Sequence, residues 1–234
     1  MSWFDGGYTA QERTATGIVG TSRRGRTKWI VPVVVAACYA IFTLAVHLRM
    51  LDFLDLAVRS AAHAGQVWGP VQIRAARIVH GLQPPHLVAP LVLVVVALSL
   101  VRRSLRPLAV MAVVGGLVII VTLGTKWFMA HTETTATPVA HGSFPSGHAV
   151  SIIVVFGIVV LLLRPRTRWG WMLPAVMGCF MGWALVVAWV HPATDVVGAV
   201  LLAVAALGAA KAAGLGQWAS DRRAKRLDEE SGRA

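Results

Sequence analysis

Six apolar runs take up most of this 234-residue chain: Trp29–Val46, Leu87–Val101, Leu108–Thr125, Ala149–Leu163, Trp171–Val190 and Val196–Leu215. Each crossing of a bilayer's hydrocarbon takes roughly 20 mostly apolar residues. The second and fourth runs are short and are expected to recruit flanking residues. The expected fold is all-α: a polytopic membrane domain of six transmembrane helices over residues 29–215, with short amphipathic outer helices. A cytoplasmic basic tail (1–28) and a cytoplasmic charged tail (216–234) flank it. The first 28 residues are polar and end in Arg23, Arg24, Arg26 and Lys28, so no cleavable leader is expected. Cys38 and Cys179 fall inside apolar runs, which suits packing residues better than a disulfide.

The net charge of +12 invites a nucleic-acid reading, but its distribution points to topology. Under six crossings, 17 of the Lys and Arg residues fall on the side of the termini and five on the other: Arg49, Arg59, Arg74, Arg77 and Lys126. The positive-inside rule then places both termini in the cytoplasm. Nucleic acid is not expected as a partner.

Between the first two runs, His47–His86 is too polar to span. Leu51, Leu54, Val58 and Ala61 share one helical face while Asp52, Asp55 and Arg59 lie elsewhere. A second short helix is predicted over Val71–Gly81, after the Gly69-Pro70 break. Both suit helices lying at the outer interface or capping the bundle. Lys126–Gly147 reads as a polar outer loop, whose His131, Glu133 and His141 fit no metal-ligand spacing. Gly115-Gly116 and the pair Gly178 and Gly182 are expected to let helices approach closely.

The stretch Gly142-Ser-Phe-Pro-Ser-Gly-His-Ala-Val-Ser151 stands at the head of the fourth run. With both termini inside, the fourth and sixth helices start at the outer face. A helix start offers unpaired backbone N–H groups and partial positive charge, which suit an anion. Ser146 reads as an N-cap, and Pro192 suits a first helical turn. His191 and Asp195 are four apart, so the carboxylate can hold one ring nitrogen and leave the other as nucleophile. His148, on the neighbouring helix, is placed to give a proton to a departing alkoxide.

These residues resemble the type-2 phosphatidic acid phosphatase superfamily, which also includes the vanadium haloperoxidases. Its signature is Lys-x6-Arg-Pro, Pro-Ser-Gly-His and Ser-Arg-x5-His-x3-Asp. Here Pro145-Ser146-Gly147-His148 is complete, Lys126 matches the first part, and His191 and Asp195 match the third. The resemblance implies a lipid phosphatase acting on a polyprenyl or phosphatidyl phosphate monoester at the extracytoplasmic face of the plasma membrane. It implies a phosphohistidine on His191 oriented by Asp195, and His148 as general acid. Lys126, Ser146 and Gly147 would hold phosphate oxygens, with no metal and no cofactor. Lipid phosphate and membrane lipids are the partners it implies.

Two positions depart from that signature. Glu133-Thr134 replaces Arg-Pro, and Ala184-Leu185 replaces Ser-Arg. Arginine offers phosphate a bidentate, permanently charged fork. Three readings are open: an outer arginine (Arg49, Arg59, Arg74 or Arg77) replaces the missing pair; the substrate is a less charged phosphodiester handled by a phosphotransferase; or the protein binds lipid phosphate without catalysis.

Overall fold

The computed structural model describes residues 10–62, 68–132, 143–163 and 169–220, and every regular element among them is helical. In chain order these are α1 (Ala10–His47), α2 (Asp52–Ala62), α3 (Pro70–Gly81), α4 (Pro84–Val101), α5 (Arg106–Thr132), α6 (Gly147–Leu163), α7 (Met172–Val187), α8 (Ala193–Ala212) and α9 (Leu215–Ser220), with a 3-10 turn at Trp169–Trp171. Five segments are long and apolar enough to cross a membrane: Thr27–His47 of α1, α4, Arg106–Ala130 of α5, Trp169–Val187, and α8. The protein is a multi-pass helical membrane protein. The fourth expected crossing, α6, has 17 residues.

A helix satisfies its own backbone, which is what hydrocarbon demands of a spanning segment. Two prolines stand where a helix start tolerates them, Pro70 opening α3 and Pro84 opening α4, while Pro32 and Pro90 lie inside α1 and α4. The Gly69 N–H donates to Gln72 Oε1 at 3.1 Å, and Gln72 Nε2 donates to the Ala62 carbonyl at 3.1 Å. Those two bonds tie the end of α2 to the start of α3.

The chain is organised around α6. Eleven of its residues are buried, and α4, α5, α7 and α8 all pack on it. At 1.5 Å per residue α6 is only about 26 Å long. Protein rather than lipid surrounds it, so its ends need not meet the membrane surface. The outer helices do the opposite: Leu93, Leu100 and Ile120 are exposed, as apolar side chains are when the solvent is hydrocarbon. Cys38 and Cys179 are free and exposed on α1 and α7, so the packing expected of them inside the bundle is not made.

Small residues set two of the helix contacts. A Cβ on Gly178 would stand 2.7 Å from Ile153 of α6, and one on Gly182 would stand 2.7 Å from Val196 of α8. Gly115 and Gly116 face open space, so the close approach expected on α5 does not occur there.

Helix α1 lies along α8, and Phe144 is wedged between them. Its ring stacks on Tyr39, with centroids 6.3 Å apart, and lies 6.3 Å from the Phe42 ring. On the other side it fills the space where Gly198 has no side chain; a Cβ there would sit 2.4 Å from the ring. Tyr39 shares a 2.9 Å hydrogen bond with Thr125 of α5. The residue just before Pro145-Ser146-Gly147-His148 is therefore a fully buried plug. Replacing Gly198 by Ala overpacks this seam and should destabilise the bundle by about 1–3 kcal/mol. Thermal unfolding of purified protein in detergent should show a lower midpoint for Gly198→Ala and no loss for Gly116→Ala. Equal effects would contradict the wedge.

Candidate active site

The helices α7 and α8 are joined by a turn of five residues, and its backbone is closely held. Ala188 N–H donates to Ala184 O at 2.8 Å, and Val190 N–H to Leu185 O at 3.0 Å. Trp189 has φ 62, a left-handed conformation that ordinarily favours glycine. Holding a tryptophan there costs about 1–3 kcal/mol, so surrounding contacts must offset it. One such contact is visible: the Arg59 guanidinium carbon lies 4.3 Å from the Trp189 ring centroid. Leu185 stands where the resembling family has arginine, and it is fully buried in the core.

His191 leaves this turn, Pro192 caps α8, and Asp195 lies in its first turn. The apolar run begins at Val196, and the helix extends ahead of it through Ala193–Asp195, with Pro192 at its N-cap where the sequence suggested a first helical turn. His191 Nδ1 and Asp195 Oδ2 are 2.7 Å apart across the i, i+4 spacing. Ser143 Oγ donates to the same carboxylate oxygen. Asp195 has no exposed surface. Its backbone carbonyl accepts the Ser146 N–H at 3.1 Å, so the starts of α6 and α8 are stitched side by side.

On α6, His148 follows Gly147 directly. The His148 and His191 ring centroids are 6.2 Å apart, and the rings meet at 63°. His148 Nε2 is 3.1 Å from Gln83 Oε1, at the N-cap of α4. Ser146 is fully buried; its Oγ is 3.5 Å from the Ala149 N–H, where an N-cap oxygen belongs. Gly147 is half-buried, with open space where a Cβ would be. Lys126 projects from α5, and its Nζ donates to the Ser143 carbonyl. Ser143 thus links Lys126 to Asp195.

A third element reaches this end of the bundle. Asp55 of α2 is buried, and its carboxylate accepts both the Thr194 N–H at 2.9 Å and the Thr194 hydroxyl at 2.7 Å. It caps α8 from outside, favourably placed at the positive end of the helix dipole. The buried member of α2 is this carboxylate, while Leu54 and Val58 remain exposed. Arg59, one turn further on, lines a cavity of about 400 Å³ together with Asp55, Ser143, Trp189 and His191. A larger groove of about 800 Å³ runs between α7 and α8 from Ala193 to Lys211, apolar along almost all its walls. Val186 and Ala193 line both.

All six expected site residues lie on the helix starts and ends that meet here. Sequence reasoning missed Ser143, Gln83 and Asp55. Ser143 was signalled by lying two residues before Pro145. Asp55 was signalled as a carboxylate within a helix rich in leucine and alanine. Gln83 carried no signal beyond preceding two prolines. Glu133 and His141 lie outside the described residues, as does the His131 side chain.

No curated protein matches the chain in sequence. Among solved structures, it is similar to the crystal structure of a transmembrane PAP2 type phosphatidylglycerolphosphate phosphatase from Bacillus subtilis. That likeness has a TM-score of 0.58 and 22% identity, covering 85% of this chain and 96% of that one. The family model of the PAP2 superfamily matches residues 105–216, which hold Lys126, Pro145-Ser146-Gly147-His148, His191 and Asp195. That segment, just under half of the chain, is similar to the PAP2 superfamily.

Proposed function

We propose that the protein hydrolyses a phosphate monoester on a membrane lipid, of polyprenyl or phosphatidyl type, through a phosphohistidine formed on His191. The observation that carries this reading is the pairing of His191 with buried Asp195 at 2.7 Å, with the His148 ring 6.2 Å away. Asp195 accepts the Nδ1–H of His191 and leaves a lone pair on Nε2. Nε2 attacks phosphorus as the ester P–O bond breaks. An N–H of protonated His148 passes its proton to the leaving alkoxide. Water, deprotonated by the now neutral His148, then attacks phosphorus. Orthophosphate leaves and His191 is restored. Gln83 holds the His148 ring in place. Lys126, Gly147 and the first-turn N–H groups of α6, with Ser146 shaping that turn, stabilise the phosphoryl oxygens.

The lipid class rests on the shared wall of the two cavities. A headgroup beside His191 can lead its hydrocarbon chain past Val186 and Ala193 into the apolar groove between α7 and α8. The positive-inside charge pattern supports a bundle with both termini cytoplasmic, α6 as a further crossing, and the histidines on the extracytoplasmic side of the plasma membrane.

Purified protein given polyprenyl phosphate, phosphatidic acid and phosphatidylglycerol phosphate should release orthophosphate from at least one. His191→Ala should lower that rate by about a thousandfold or more. Wild type quenched in alkali should carry protein-bound phosphate that is stable to base and released by acid, and the variant should lack it. Equal release by both proteins removes His191 from the chemistry.

The groove makes a separate prediction. In a Cys38→Ser background, alkylating exposed Cys179 with a bulky maleimide should raise KM for a long-chain lipid phosphate and leave a short-chain analogue unaffected. Equal inhibition of both would exclude the groove as the chain's path.

A further inference from the structure

Both arginines of the family signature are absent from this chain, yet a guanidinium still lines the cavity beside His191. It belongs to Arg59 of α2. We infer that α2 supplies the phosphate-clamping arginine of this site: Arg59 binds the phosphoryl oxygens of the lipid phosphate at His191. This assignment rests on the hydrolytic reading above for its ligand and on separate geometry for its residue.

Three observations carry it. Asp55 anchors α2 on the first turn of α8, the helix that holds Asp195, with two hydrogen bonds of 2.9 and 2.7 Å. Arg59 follows at i+4, so it emerges on the side of α2 that faces the same helix start. Its guanidinium then lies over Trp189, whose left-handed backbone aims the indole across the turn two residues before His191. A guanidinium flat on an aromatic ring loses little of its donor capacity, because its N–H groups lie in the plane and point to the edge. The contact with Trp189 preorganises the clamp.

The competing cations are placed differently. Arg74 and Arg77 are exposed on α3, and neither they nor Arg49 line the cavity among the described residues. Lys126 donates to the Ser143 carbonyl on the side of Asp195. Arg59 and Lys126 would thus bracket the phosphoryl group, one from each side of Ser143.

The test is titration of purified full-length protein with inorganic orthophosphate and orthovanadate by calorimetry, alongside kcat/KM on the best lipid phosphate. Arg59→Ala should raise the phosphate Kd about tenfold or more, as expected for losing a charge-assisted bidentate contact. Arg59→Lys should recover part of that loss, and Arg74→Ala should match wild type. Trp189→Phe should keep more affinity than Trp189→Ala. Because Arg59 also contacts Trp189, thermal unfolding of each variant in detergent separates loss of the clamp from loss of the fold. Unchanged Kd and kcat/KM in Arg59→Ala overturn the assignment even if hydrolysis depends on His191. Wild type that binds neither anion overturns it as well. Arg59-dependent anion binding without turnover of any lipid phosphate supports the clamp and defeats the hydrolytic reading instead.

Discussion

A carboxylate with no exposed surface holds three stretches of this chain in register. Asp195 receives the His191 ring and the Ser143 hydroxyl on one side-chain oxygen, and the Ser146 N–H on its backbone carbonyl. Burying a charge is costly unless hydrogen bonds and helix dipoles surround it. Here Oδ2 carries the bonds to His191 and Ser143, and the carboxylate lies in the first turn of α8, where backbone N–H groups converge. Oδ1 has no hydrogen-bond partner among the described residues. Hydrogen bonds from Ser143 and Ser146 to Asp195 join the turn before α6 to the first turn of α8 and help hold the two histidines side by side.

The surrounding bundle is arranged so that this polar knot sits at the end of an apolar column. Helix α6 is short, buried and encased by α4, α5, α7 and α8. Its start is fixed from below by Phe144, which the α1 and α8 surfaces clasp where Gly198 leaves room. From the side, α2 docks by a carboxylate rather than by its leucines. In water that orientation would waste apolar surface. Next to hydrocarbon it wastes none, and the buried Asp55 finds two donors on Thr194.

How much of this was legible in the sequence follows from distance along the chain. The His191–Asp195 pair spans four residues, and Pro145-Ser146-Gly147-His148 is contiguous, so local spacing exposed both. Asp55 and Thr194 are 139 residues apart, and His148 and Gln83 are 65 apart. No periodicity encodes such pairs. Thr194 and Asp195 are polar and precede the apolar run of α8, and their own spacing does not reveal that they are buried. They are buried because partners elsewhere in the chain satisfy them. The inverted docking of α2 was hidden because hydrophobic patterning assumes that the inside is greasier than the outside, and for this helix it is not.

The five-residue link from α7 to α8 has a mechanical consequence. With Ala188 and Val190 both bonded back into the last turn of α7, and Trp189 locked in a left-handed kink, the loop has no slack. His191 therefore moves only when two whole helices move. Any adjustment of the site's width must come from the other walls, among them α2, which Asp55 fastens to the start of α8 and Arg59 to the turn before it. His191 is the fixed jaw of a vice, and α2 forms part of the jaw that faces it.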